Sequence, residues 1–298
     1  MKSKFWGLGV LMGLLLLLTA CGGNEEDASS SDEGESTEDK GSIEIGLNPW
    51  AENIAVSNMW EQILEEKGYD ITLNNVDKGA LYEAMASQSV DVALEVWLPN
   101  TDKPFYDRYK DEINWHEEWY QGTTLGLAVP SYMDIESIEE LNEYEDKMDG
   151  EIVGIDPGAS LMSLTDDVVK EYDLNYDVLS SSDVSMTTEL KTAYKNEEPI
   201  VVTLWKPHHV FADLDMKFLE DPKNVYGDEE NISFMSRKGF PEDHPEVLEW
   251  LQNWEMTNDQ LGELMATIVE NDNDAAKGAE IWLEDNQELV DEWVTSEE

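Results

Sequence analysis

"LEVWLPNTDKP", residues 94–104, and "VTLWKP", residues 202–207, repeat one arrangement: a strand, a tryptophan, any residue, a proline. In the first, Val90, Val92, Leu94 and Val96 share one face of a period-2 pattern. Trp97 falls on the other face with Glu95, Ala93 and Asp91. In the second, Ile200, Val202 and Leu204 share a face and Trp205 lies opposite with Thr203. A third strand, "IEIGLNPW" (43–50), runs out at Pro49-Trp50. Three tryptophans therefore stand at or just past the carboxyl ends of three strands. In open α/β sheets that edge is where ligands bind, so the rings are expected to face a cleft. A tryptophan is more often core packing, and Trp60, Trp250, Trp254, Trp282 and Trp293 fit that role at helical spacing.

Strand and helix signals alternate around these three points, which sets the class as α/β. "SIEIGL", "DITLNNV", "VDVALEVW", "EIVGID" and "PIVVTLW" read as strands. "AVSNMWEQILEEKG", "ALYEAMASQ", "SIEELNEYEDKM", "SLMSLTDDVVKEYD" and "MTTELKTAYKN" read as helices, and the chain is helical from Pro241 onward. "TLGLAVP" (124–130) follows a charged stretch and carries the chain towards a second lobe.

"IVGIDPGASLMSLTDD" (152–167) is the other informative stretch. A strand ends at Asp156-Pro157-Gly158 and a helix begins near Ala159–Ser160. Gly158 permits close backbone approach, and the unpaired N–H groups of the first helical turn form an anion site. Alternatively Ser160 simply caps the helix. An aromatic cage recognises a quaternary ammonium, and a helix N-terminus opposite it holds a carboxylate. A small molecule carrying both groups is a betaine.

The 298 residues carry a net charge of −50. Such a surface repels phosphates and excludes nucleic acid as a partner. Its reading here is solubility in concentrated salt. Lys2 and Lys4 precede an apolar run from Phe5 to Ala20, the pattern of a signal peptide over residues 1–20. The run closes on "LLTAC", so Cys21, the only cysteine, is expected to become a lipidated N-terminus. Residues 21–41 then form an acidic disordered tether with no apolar residue large enough to build a core. The expected location is the cell membrane, lipid-anchored on the extracytoplasmic side. A lone cysteine allows no internal disulfide or CxxC metal site. HExxH, Walker A and GxSxG are absent, "NDNDAAKGAE" lacks the glycine of a calcium loop, and no catalytic triad is readable around the four histidines. No enzyme, metal or cofactor is expected.

"NPWAENIAVSNMW", "EVWLPNTDKPFY", "GIDPGASLMSLT", "PIVVTLWKPHH" and "LEDPKNVYG…SRKGF" together resemble the substrate-binding proteins of glycine betaine and related quaternary-amine ABC importers, from about Ser42 to the C-terminus. The resemblance implies a two-lobe fold of the periplasmic-binding-protein type with the ligand between the lobes, osmoprotective uptake, and an importer permease as partner. It implies that Trp50, Trp97 and Trp205 form the ammonium cage and that backbone N–H groups around Gly158, Ala159, Ser160 and Leu161 receive the carboxylate. His208 either adds a hydrogen bond or is a solvated loop residue. The lobes are expected at 42–125 with 236–298, and at 126–235.

One residue departs from the pattern. Betaine binders of this resemblance often carry a histidine shortly after the "WLPNT" run, where this sequence has Asp102. An ionised aspartate facing the cleft favours a hydroxyl and repels a carboxylate; the favoured expectation is that Asp102 caps its own loop and points away. Choline or carnitine specificity, and a hydrolase of choline esters using the same cage, are the alternatives.

Overall fold

The computed structural model describes residues 40–295. The expected signal peptide, Cys21 and nearly all of the tether lie outside the described residues.

The first half opens with β1 (Ser42–Leu47), α1 (Ala51–Glu66), β2 (Asp70–Asn75), α2 (Lys78–Ala86) and β3 (Val92–Leu98). β1 pairs parallel with β2 on one side and β3 on the other. Six of the seven β3 residues are buried, as expected of a strand covered on both faces. α1 buries Val56, Met59, Trp60, Ile63 and Leu64 at helical spacing.

After α3 (Lys103–Tyr109) comes β4 (Ile113–Pro130), an 18-residue strand that joins the two halves. The second half repeats the parallel pattern with β5 (Glu151–Val153), α4 (Ser160–Glu171), β6 (Asp177–Leu179), α5 (Asp183–Asn196) and β7 (Val202–Lys206). β5 pairs parallel with both β6 and β7. α6 (Val210–Asp213), β8 (Met216–Phe218) and β9 (Glu230–Arg237) follow. The chain then finishes in α7 (Phe240–Asp243), α8 (Pro245–Asn253), α9 (Asn258–Glu270), α10 (Ala275–Asp285) and α11 (Gln287–Trp293).

The strand order is β2-β1-β3-β9-β4-β7-β5-β6, with β8 alongside β4. β4 runs antiparallel to β9 up to Thr123 and antiparallel to β7 from Thr124, so the chain changes halves within one strand. The return falls earlier than residue 236. β9 already pairs with β3 and β4 from Glu230–Asn231, which puts residues 230–235 in the first sheet.

α9 and α10 pack on α1, and the aromatic core lies there: Trp119 stacks on Trp254 at 4.1 Å, and Trp60 meets Trp254 edge-on at 5.5 Å. Ile138–Glu143 and Glu145–Lys147 form short 3-10 turns where a helix was expected, because the run buries only Ile138 and Leu141, with Tyr144 half-buried against the core.

Candidate ligand-binding site

Two pairs of parallel strands, β1 with β3 and β5 with β7, point their carboxyl ends at the same space. A cavity lies there. Its aromatic walls are Trp50, Trp97 and Trp205, all nearly inaccessible to solvent. Trp50 is the residue before α1, while Trp97 and Trp205 are the penultimate residues of β3 and β7. The prolines that follow the latter two, Pro99 and Pro207, are both in cis linkage.

Each of the three indoles donates its N–H to a carboxylate. Trp50 Nε1 reaches Asp156 Oδ2 at 2.9 Å and Trp205 Nε1 reaches Glu52 Oε2 at 2.8 Å. Trp97 Nε1 donates to Glu95 on its own strand. That is why the largest apolar side chain of β3 stands beside an acid. An indole in a dry wall needs an acceptor for its one donor, and a carboxyl oxygen supplies it.

The start of α4 also meets the cavity, with Ala159, Ser160 and Leu161 in its wall. Ala159 is the N-cap, and no side chain caps the helix, so Ser160 does not play that part. Alanine is among the poorest N-cap residues, and choosing it over serine or aspartate costs about 1 kcal/mol. The N–H groups of Ser160 and Leu161 stand in the first turn, where the helix supplies no carbonyl for them. Gly154 is required where β5 runs beside β6, since a Cβ there would come within 2.9 Å of the Leu179 carbonyl oxygen.

Gly158 does not line the cavity. A Cβ on it would approach only Asp156 Oδ1, at 3.4 Å, so no close backbone contact requires glycine there. His208 is buried behind Trp205, its ring edge-on at 4.6 Å, and is neither a cavity wall nor a solvated loop residue. Its Nδ1 accepts from the Val210 N–H at 3.2 Å, which leaves Nε2 to donate to Asp183 Oδ1 at 3.1 Å.

Asp102 combines the two arrangements considered for it. It bonds its own loop, accepting the Trp97 backbone N–H at 2.9 Å, yet it is fully buried and forms part of the cavity wall. What reconciles the two is Lys78, whose Nζ lies 2.7 Å from Asp102 Oδ2 and 5.0 Å from the centre of the Trp50 ring. Lys78 is itself buried and lines the cavity, as do Glu52, Thr101, Leu125 and Ile155. Glu230 fixes the loop, accepting from the backbone N–H and hydroxyl of Thr101 and from the Asn100 N–H.

Glu52 and Glu95 form a pair of buried carboxyls beneath the cage. Burial, reinforced by the charge of Glu95, holds Glu52 well above the usual carboxylate range. Burial pushes Glu95 up to about 7, against the pull of the nearby Lys78 charge. Two such groups side by side resist ionising together.

A cavity at the switch between two parallel α/β halves, walled by three tryptophans and by the uncapped first turn of α4, defines a two-lobe solute-binding protein. Residues 41–285 match the model of the substrate-binding domain of ABC-type glycine betaine transport systems, and the chain belongs to that family. It is 42% identical over 146 residues to the glycine betaine/carnitine transport binding protein GbuC of Listeria monocytogenes; that match spans 48% of each chain, about half the length of this curated relative. Among solved structures it is similar to lactococcal OpuAC in its closed, glycine betaine-bound conformation, with 30% identity, a TM-score of 0.80, and coverage of 85% of this chain and 99% of that one. It is also similar to the glycine betaine/L-proline-binding protein ProX of Borrelia burgdorferi, with 31% identity, a TM-score of 0.81, and coverage of 86% and 97%.

Proposed function

We propose that the protein captures glycine betaine, or a close quaternary ammonium relative, outside the cytoplasm and delivers it to the permease of an ABC importer, serving osmoprotection. In this reading a lipid on Cys21 holds the body at the cell membrane, and the acidic tether lets it move above the surface. The family's role is binding, and no catalytic step is invoked.

The observation that carries the proposal is the juxtaposition of three tryptophans with a helix start that has no side-chain cap. The trimethylammonium group rests among the ring faces, which attract a cation that has no N–H to donate. The carboxylate takes the N–H groups of Ser160 and Leu161, completing the cap that Ala159 does not supply. Cation–π contacts contribute ~0.5–2 kcal/mol each, short of the roughly 8 kcal/mol of micromolar affinity. Methyl burial and the carboxylate bonds supply the remainder.

Lys78 bears on which betaine is preferred. With its ammonium 2.7 Å from Asp102, that part of the wall is a neutral ion pair and does not repel a carboxylate. The ordering that follows is glycine betaine, then carnitine, then choline. A calorimetric titration with the three compounds tests it. Tighter binding of choline than of glycine betaine would overturn the ordering and make Asp102 a hydroxyl acceptor.

A further inference from the structure

Three consecutive residues of the first half each bond across to the second. Trp50 donates its indole N–H to Asp156, the Ala51 backbone N–H meets Asp183 Oδ2 at 3.1 Å, and Glu52 receives the indole N–H of Trp205. Residues 50–52 form the junction of β1 and α1, whereas Asp156 follows β5, Asp183 opens α5 and Trp205 ends β7. Trp97 is different, for its N–H goes to Glu95 two residues earlier on β3.

The partition has a mechanical meaning. The Trp97 indole N–H has its acceptor on its own strand and keeps it however the halves are disposed. The rings of Trp50 and Trp205 each depend on a carboxylate carried by the opposite half. Separating the halves removes both acceptors at once, together with the anion at the first turn of α1. That turn is favourable ground for an anion, since Ala51 presents a backbone N–H with no acceptor in its own helix. Asp183 is held ready for it by the Thr187 hydroxyl and by His208, both bonded to Oδ1, which leaves Oδ2 aimed at Ala51. His208 is thus a buttress for Asp183 and not a ligand contact.

We propose that Trp50–Glu52 is a closing latch, in which Asp156, Asp183 and Glu52 are positioning residues that complete the aromatic cage only when the two halves meet. The proposal rests on the function given above and adds an order of events. The ligand lands first on the preset face of Trp97, and closure then brings Trp50 and Trp205 into register around it. Loss of a latch bond therefore speeds departure of the ligand without slowing its arrival.

Asp183 is the most diagnostic position because it does not line the cavity, so its substitution removes no ligand contact. Stopped-flow tryptophan fluorescence on the full-length protein, with glycine betaine as the probe, reads association and dissociation separately. For Asp183→Ala the expected result is dissociation about tenfold faster, with association within about threefold of wild type. Asp183→Asn, which keeps an acceptor, should lie between the two. Asp156→Ala, at a half-buried position that tolerates truncation, is the second test and should behave as Asp183→Ala does. Wild-type dissociation in either folded variant, or a loss of affinity carried by association, overturns the latch. An unmodified protein that does not bind glycine betaine would instead overturn the function on which the latch rests.

Discussion

Lys78→Met isolates the buried ion pair in the cavity wall. Its two charged groups are 2.7 Å apart with relative exposures of 2% and 0%. At that separation the gross attraction is about 6 kcal/mol for an effective dielectric of 20, most of it offset by the cost of drying both ions. The loss on substitution is set by what stays behind, which is Asp102 buried without its counter-ion; such breakage costs about 3–5 kcal/mol. For a body of this size that lowers the melting temperature by roughly 10 °C. The assay is thermal unfolding followed by circular dichroism, paired with the double variant Lys78→Met/Asp102→Asn. Asparagine keeps an acceptor for the Trp97 N–H while removing the charge, so the double variant should recover more than half of the loss. The same single substitution leaves a bare carboxylate on the cavity wall, and preference should swing from glycine betaine towards choline. A single variant within about 1 kcal/mol of wild type, or a double variant no more stable than the single, would refute the reasoning.

Three further outcomes follow from the same structure. Glu95, raised to about 7, and Glu52, raised well above its ordinary value, bind more protons folded than unfolded between their unfolded and folded values. Stability of the ligand-free protein should therefore fall as pH climbs from about 5 to 8, while affinity for glycine betaine rises because a cation favours the ionised pair; melting curves and titrations across that range would show the opposite slopes if the assignment is wrong. The net charge of −50 predicts a melting temperature that climbs from dilute buffer to molar sodium chloride, and a flat or falling series would contradict it. Trp97→Ala and Trp205→Ala should each weaken glycine betaine binding by more than about tenfold, whereas Trp254→Ala, in the stacked core with Trp119 and Trp60, should lower the melting temperature instead; calorimetry and unfolding on all three distinguish the roles.

The frame of the site was legible because strand ends announce themselves. A period-2 pattern stopped by Trp-x-Pro locates Trp97 and Trp205 without any tertiary knowledge, and Asp156-Pro157-Gly158 marks the turn into α4 in the same way. The charged groups around the cage were not legible. Glu52 reads as an ordinary acid in a helical first turn, and Lys78 as an ordinary solvated lysine at the start of α2. Both are buried only because the second half closes over α1 and because the 99–102 loop folds back onto α2. Glu95 stood in plain view beside Trp97, and the indole N–H was the signal that assigns it a partner. The first part of β4 and all of β9 escaped for a different reason. "INWHEEWYQG" alternates poorly, its pairing with β9 being broken by register shifts near Glu118 and Tyr120. His208 was placed in the right neighbourhood by its distance from Trp205, but spacing alone does not tell a ligand contact from the support of a neighbouring aspartate.

The central claim is that the cavity reads a quaternary cation and a carboxylate together. Its most direct test is a calorimetric comparison of glycine betaine with 3,3-dimethylbutanoate, which has the same shape and the same carboxylate but a carbon in place of the charged nitrogen. The ring faces attract the cation and gain nothing comparable from its neutral isostere. The account predicts affinity for glycine betaine in the micromolar range or tighter, with the isostere weaker by about 100-fold or more. Equal binding of the two would contradict it, because the cage would then be recognising methyl groups by shape alone.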